Sequence, residues 1–298
     1  MIALDKITTE QNNEASAHID EVSTLEMMRI MNEADSEVPR AVKQILPEIA
    51  RAVDAIAERL RCGGRLIYMG AGSSGRLGVL DAAECPPTFS ASKDLVQGII
   101  AGGRDAMFVA QEGAEDSEAL GRADLVTLRL RKEDIVCGIA ASGRTPYVLG
   151  ALDYAEEIGA LTIALTCSEH SSMEERADIT LAPISGPEVI AGSTRLKAGT
   201  AEKLVLNMLS TGTMIKLGKV YGNRMVDVKA SNAKLKERAL RIVREIAGVS
   251  REEAAALLKQ SDGSAKLAIL ISCQGCSAAE GQAMLKAAGG RLADALRS

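Results

Sequence analysis

Arg65-Leu66-Ile67-Tyr68-Met69 runs directly into Gly70-Ala71-Gly72-Ser73-Ser74-Gly75-Arg76, and this junction decides the fold. The first five residues predict a short strand, and the pattern from Ser74 predicts a helix straight after it. Between them, Gly-x-Gly-x-x-Gly lets the backbone turn tightly and approach an anion, which the free N–H groups of a helix N-terminus attract. Strand, glycine turn and helix in that order open a βαβ unit. Reading on, strands are expected at 96–101, 135–140, 161–165 and 179–182, with helices after Asp105 and from Pro146, and a long helical pattern over 194–219 closes the series. Such alternation specifies a parallel sheet covered by helices on both faces, a three-layer α/β domain.

Toward the N-terminus, Ser23-Thr-Leu-Glu26 is a capping box that starts a helix. Apolar positions 38, 41, 42, 45, 46, 49, 53, 56, 57 and 60 keep helical spacing, with Pro47 as a kink or break, until Gly63-Gly64 ends this lead-in. Beyond Asn223 strand signals cease. A helix is expected after Ser231 to about Gly248, and the capping boxes Ser250 to Glu253 and Ser277 to Glu280, punctuated by Gly263 and Gly275, mark several shorter ones. The expected division is an N-terminal helical segment (1–55), an α/β domain (56–222) and a small all-helical C-terminal domain (223–298).

The 298 residues are 47% hydrophobic but only 2% aromatic, with no Trp, so the core must be packed from aliphatic side chains and Ala. Without stacking platforms, and with a net charge of −5, the chain is not expected to bind nucleic acid. Met1 to Glu10 holds no apolar signal-peptide core and no later run reaches bilayer length, so a cytoplasmic protein with no membrane partner is expected. The six cysteines (62, 85, 137, 167, 273 and 276) are scattered, as reduced thiols are. Only Cys273 and Cys276 are closely spaced, and the two histidines, His18 and His170, are too distant in sequence to complete a metal site with them. No metal is expected.

A dinucleotide fold wants an acidic residue at the end of the second strand, but Asp94 precedes that strand and its far end is Gly102-Gly103-Arg104. The adjacent hydroxyls of Ser73 and Ser74 suit a phosphate monoester better than a pyrophosphate. A second loop of the same kind, Ala141-Ser142-Gly143-Arg144-Thr145-Pro146, follows the third strand, with Thr145 as N-cap and Pro146 in the first helical turn. Alone, that loop is equally an ordinary capped helix start. Both loops fall at the C-terminal ends of parallel strands, where open α/β sheets bind ligands, and together they suggest one small phosphorylated ligand. Nearby candidate acids and bases are Glu84, at the end of the first loop's helix where a Pro86-Pro87 break is expected, and Glu115, in the acidic turn 111–116, though on spacing alone both read as solvated charges. Cys85 has no histidine placed to activate it as a nucleophile. Residues 186–197 bring Arg195 and Lys197 to the start of the long helix, either as a third anion contact or as a plain start capped by Ser193 or Thr194.

Taken together, GAGSSGRLGVLDAAECPPTF (70–89), EGAEDS (112–117), ASGRTPYV (141–148), GPEVIAGSTRLKAGTAEKLVLNMLSTG (186–212) and the opening TTEQNNEAS (8–16) with IDEVSTLEMMRIMN (19–32) resemble the bacterial N-acetylmuramic acid 6-phosphate etherases. The likeness covers nearly the whole chain and is strongest between residues 65 and 232. It implies a sugar isomerase (SIS) domain and hydrolysis of the lactyl ether of N-acetylmuramic acid 6-phosphate to N-acetylglucosamine 6-phosphate and D-lactate, in cytoplasmic cell-wall sugar recycling. It also implies a reaction without metal or cofactor, in homodimers whose active sites use both subunits. The family's motifs place the two catalytic carboxylates at Glu84 and Glu115. Phosphate binding falls on Ser73, Ser74, Ser142, Gly143 and Thr145, with Gly72, Glu188 and Ser193 as further substrate contacts.

One departure from the wider fold is informative. Aldose–ketose isomerases of this type often carry Ser-x-Ser-Gly-x-Thr followed closely by Glu, where this chain has Ala140 and Tyr147. An ether cleavage also explains a pair of carboxylates, because one group must remove the proton on carbon 2 while another protonates the departing oxygen. The expectation is that Glu115 is the base and Glu84 the acid. The rival from another class is a non-catalytic sugar-phosphate sensor such as the glucokinase regulatory protein, which carries two such domains where this length accommodates one.

Overall fold

The computed structural model describes residues 8–109, 111–227 and 233–297. In chain order its elements are α1 (Thr24–Ser36), α2 (Val38–Gln44), α3 (Leu46–Arg61), β1 (Leu66–Gly70), α4 (Gly72–Phe89), β2 (Val96–Ile100), α5 (Glu118–Thr127), β3 (Ile135–Ile139), α6 (Pro146–Ile158), β4 (Leu161–Leu165) and β5 (Ile179–Leu181). They continue with α7 (Lys197–Lys216), β6 (Val220–Tyr221), β7 (Arg224–Met225), α8 (Ala233–Ala247), α9 (Arg251–Gln260), α10 (Ala265–Gln274), α11 (Ala278–Ala287) and α12 (Leu292–Ala295). Two compact units result: Met1–Ala83 with Lys93–Ser210, and Glu84–Ser92 with Thr211–Ser298.

In the first unit five parallel strands lie in the order β2-β1-β3-β4-β5. Every residue of β1 and of β3 is buried, which is why these runs are continuously apolar instead of alternating. On one face Ile67, Met69 and Val136 pack with Leu125 of α5 and with Tyr147, Val148 and Leu152 of α6. On the other face Tyr68 donates its hydroxyl to Asp81 of α4 at 3.0 Å, and Asp81 also accepts from Asn207 and Ser210 of α7 at 2.7 and 3.0 Å. Burial raises the Asp81 pKa, against those hydrogen bonds.

The N-terminal ends of β1 and β3 are tied by Asp134, whose side chain is fully buried. It accepts from the backbone N–H of Arg65 and of Arg131, each at 2.9 Å, from Arg65 Nη2 at 2.6 Å and from Arg131 Nη2 at 3.2 Å. Burial pushes its carboxyl upward, but the bonds from Arg65 and Arg131 outweigh that and hold it below the ordinary range.

The second unit has a core of Ala239, Ile242, Val243, Ala268, Ile269 and Leu292. Both C-terminal capping boxes close reciprocally: the Glu253 N–H reaches Ser250 Oγ at 3.2 Å while Ser250 N–H reaches Glu253 Oε2 at 2.8 Å, and Ser277 pairs with Glu280 in the same way.

The pattern over 38–60 breaks beside Pro47 as expected: α2 ends at Gln44, the chain turns at Ile45, and Pro47 lies in the first turn of α3, where a missing N–H costs nothing. Other expectations need correction. Strand structure does not cease at Asn223: β6 and β7 form a small antiparallel hairpin around Gly222-Asn223, too short to show any alternation in sequence. The helix after Asp105 is a pair of single 3-10 turns, Arg104–Met107 and Ala114–Asp116, before α5 begins at the Ser117 cap. α4 continues through Pro86 and Pro87 to Phe89, so Glu84 lies inside the helix and not at a break. The long helix begins at Lys197, not at 194. The expected start of α8 falls at 231, outside the described residues.

Candidate functional site

The strand order brings the two Ser/Gly loops together. β1 and β3 are direct neighbours, with Gly70 opposite Ile139, so the loops that leave them emerge side by side at the C-terminal edge of the sheet. Strand order also reverses there, since β2 lies to one side of β1 and β3 to the other, and this switch point is where doubly wound sheets hold ligands.

In the first loop, Gly70 and Gly75 touch backbone to backbone: a Cβ on Gly75 would lie 2.6 Å from Gly70 O and 2.7 Å from Ile100 Cγ1. Ser73 and Ser74 therefore sit half-buried in the first turn of α4. In the second loop, Gly143 has φ +65°, and a Cβ there would lie 2.2 Å from Ser171 Cβ and 2.7 Å from Thr166 Oγ1. Its N–H reaches Ala140 O at 2.8 Å and its carbonyl accepts from Met173 N–H at 3.2 Å, which closes the turn. Thr145 occupies the N-cap position of α6 with a half-buried side chain that makes no capping bond.

Glu115 lies on the same edge. It lines a cavity of about 130 Å³ with Ala71, Gly72, Arg76 and Gln111. The Arg76 guanidinium lines that cavity and donates from Nε to Met107 O at 3.0 Å and from Nη2 to Ala106 O at 2.7 Å, holding the turn that leads toward Glu115 with two of its five N–H groups. A larger cavity of about 550 Å³ is lined by Ser73 with Arg195 and Lys203, so a cation does flank the first loop.

The first unit thus brings together Gly72, Ser73, Ser74, Glu115, Ser142, Gly143 and Thr145. Glu84, exposed on α4 beside buried Cys85, belongs to the second unit. Glu188 has a different occupation: it is buried, and its two oxygens accept from Lys197 N–H at 2.9 Å and Ala198 N–H at 3.0 Å. It, and neither Ser193 nor Thr194, caps α7, which explains the late start of that helix. Lys197 is buried with its Nζ 3.3 Å from Pro187 O.

Sequence reasoning missed Glu202. It is fully buried on α7, and its Oε1 accepts from the Ser74 hydroxyl at 2.9 Å. The signal was present: position 202 falls on the apolar stripe 198, 201, 205, 209, where a carboxylate is out of place.

The fold defines the class, an SIS-domain α/β protein. Residues 48–156 match the family described as the glucokinase regulatory protein N-terminal SIS domain, and residues 222–267 match the C-terminal lid domain of glucokinase regulatory protein. An N-acetylmuramic acid 6-phosphate etherase of Clostridium beijerinckii is 56% identical over 99% of this chain and 97% of its own, and one of Aliivibrio salmonicida is 54% identical over 99% and 98%. The chain belongs to the N-acetylmuramic acid 6-phosphate etherase family. A solved phosphoheptose isomerase from Francisella tularensis is similar at 19% identity over 64% of this chain and 98% of that one, with a TM-score of 0.48, a likeness too distant to bear on activity.

Proposed function

We propose that this protein cleaves the D-lactyl ether of N-acetylmuramic acid 6-phosphate, giving N-acetylglucosamine 6-phosphate and D-lactate in amino sugar recycling. The observation that carries the reading is the pair of hydroxyl-rich loops side by side at the β1/β3 switch point with Glu115 on the same edge, in a chain related over its full length to etherases.

In the open-chain sugar the aldehyde acidifies the proton on carbon 2. Glu115 removes that proton, the electron pair forms the double bond between carbons 2 and 3, the bond from carbon 3 to oxygen breaks, and Glu84 protonates the departing lactate oxygen. Water then adds at carbon 3. Glu84 takes its proton, and Glu115 returns a proton to carbon 2, so both groups end as they began. The phosphate, held by Ser73, Ser74, Ser142 and Thr145 around Gly143, supplies remote binding energy and orientation. Gly72 and Ser193 complete the substrate contacts.

The working form is a homodimer in the cytoplasm, with both copies contributing to each site. α1 supports a second copy: it buries none of its thirteen residues and exposes Leu25 and Met28 at 62% and 47%. Among the described residues no helix is long and apolar enough to cross a membrane.

The test is incubation with N-acetylmuramic acid 6-phosphate in oxygen-18 water, with mass spectrometry of both products. Label on the sugar, lost in Glu84→Gln and in Glu115→Gln, is expected. Label in the lactate would mean attack on the lactyl carbon and refute the scheme, and tight binding without turnover would make the protein a sugar-phosphate sensor.

A further inference from the structure

Glu202 is a buried acid that the reaction scheme does not use. No part of the residue is exposed. Its Oε1 meets Ser74 Oγ at 2.9 Å, and its Oε2 is buried with no hydrogen-bond partner among the described residues. Among the described residues the titratable groups that face it are Glu188, from the segment ahead of α7, Cys137 of β3 and Cys167 beyond β4, and none of these is a cation. An ionised carboxylate in this place would have a single hydrogen bond, no counter-ion and an acidic neighbour, so the neutral acid is the form the site holds. Burial, opposed by the Ser74 bond and reinforced by Glu188, raises its pKa to about 8.

The proton decides what Ser74 offers. Facing a carboxylate, the Ser74 hydroxyl must donate inward, and only its lone pairs remain toward the loop, where they repel a phosphate. Facing a neutral acid, Ser74 Oγ accepts the acid's O–H, and the serine hydrogen is free to donate outward. Oε2 is then a bare carbonyl oxygen, the less costly group to leave without a partner. We propose that Glu202 is a positioning residue which, as a neutral carboxylic acid, turns the Ser74 hydroxyl outward as a donor to the phosphate of the ligand. The proposal deepens the function given above and rests on its assignment of Ser74 to phosphate binding. It couples ligand affinity to one buried proton.

The test measures the dissociation constant of N-acetylglucosamine 6-phosphate by calorimetry from pH 7 to pH 9.5. The phosphate, whose second pKa is about 6, stays a dianion throughout. Since only the protonated form binds well, wild-type affinity should fall roughly thirtyfold by pH 9.5. Glu202→Ala should weaken binding at pH 7. Glu202→Gln should rescue it, because an amide N–H donates to Ser74 Oγ at every pH, and its affinity should stay flat to pH 9.5. Thermal unfolding of each variant shows that it is folded at the temperature used. A glutamine variant as weak as the alanine variant at pH 7, or one that keeps the wild-type fall with pH, overturns the proposal. Ser74→Ala separates the two readings: if it binds as wild type does, the phosphate assignment of Ser74 fails and the proposal with it. If it binds weakly while Glu202→Gln still titrates, the role of Glu202 alone fails.

Discussion

Replacing Asp134 by Ala would remove one carboxylate that serves two backbone N–H groups and two guanidinium groups at once. What remains is a largely buried Arg65, its side chain 18% exposed, beside a cavity with no anion. Breaking a buried pair by deleting one partner costs about 3–5 kcal/mol, mostly the penalty of the charge left behind. At about 2–4 °C per kcal/mol for a unit of this size, the melting temperature should drop by about 10 °C. The carboxyl sits at the N-terminal edge of β1 and β3, and the ligand loops leave the opposite edge, so kcat/KM measured well below the transition should stay within about threefold of wild type. The deficit should also depend on pH. Because the folded-state pKa is lowered, the stabilisation is complete above the unfolded value of about 3.9 and is lost as pH falls through the lower folded value. Calorimetric scans at pH 7 and pH 3 should therefore show the gap between wild type and variant narrowing in acid. A drop under 2 °C at pH 7, or a gap that widens in acid, would refute the assignment of Asp134 as the tie between the two strands.

Two further outcomes follow from the loops. Gly143→Ala puts a side chain into left-handed backbone and against Ser171, so the loop must shift, and KM should rise at least tenfold with a melting temperature lower by a few degrees. An unchanged KM would mean that this turn does not hold the ligand. On the phosphate assignment proposed above, Ser142→Ala and Thr145→Ala each remove one hydroxyl donor to a charged group, worth about 1.5–3 kcal/mol, so each should raise KM by roughly ten- to a hundredfold. Affinity for the unphosphorylated sugar should not change, and if it falls equally the hydroxyls contact something other than phosphate.

Much of the fold, and the loops that make the candidate site, were legible because their signals are local. The capping boxes at Ser250 and Ser277, Pro146 at the start of α6, and the Ser/Gly loops at strand ends all depend on residues within one turn of each other. Glu188 and Glu202 were misread or missed for the opposite reason. Glu188 caps a helix that begins nine residues later, and Glu202 meets a serine 128 positions away. Neither distance leaves a local pattern. The β6–β7 hairpin escaped because two-residue strands carry no period.

By itself the sequence determined the alternation of strands and helices, the parallel character of the sheet and the two phosphate-loop candidates, since hydrophobic period and turn chemistry act over a few residues. Only the tertiary structure decided that β1 lies beside β3, with β2 on the outer edge. Strand adjacency is a matter of which apolar faces bury each other, a choice made between segments some seventy residues apart, from Leu66 to Ile135. That choice brings two separate glycine loops side by side as one candidate site, and it sets a buried acid from α7 behind one of its serines.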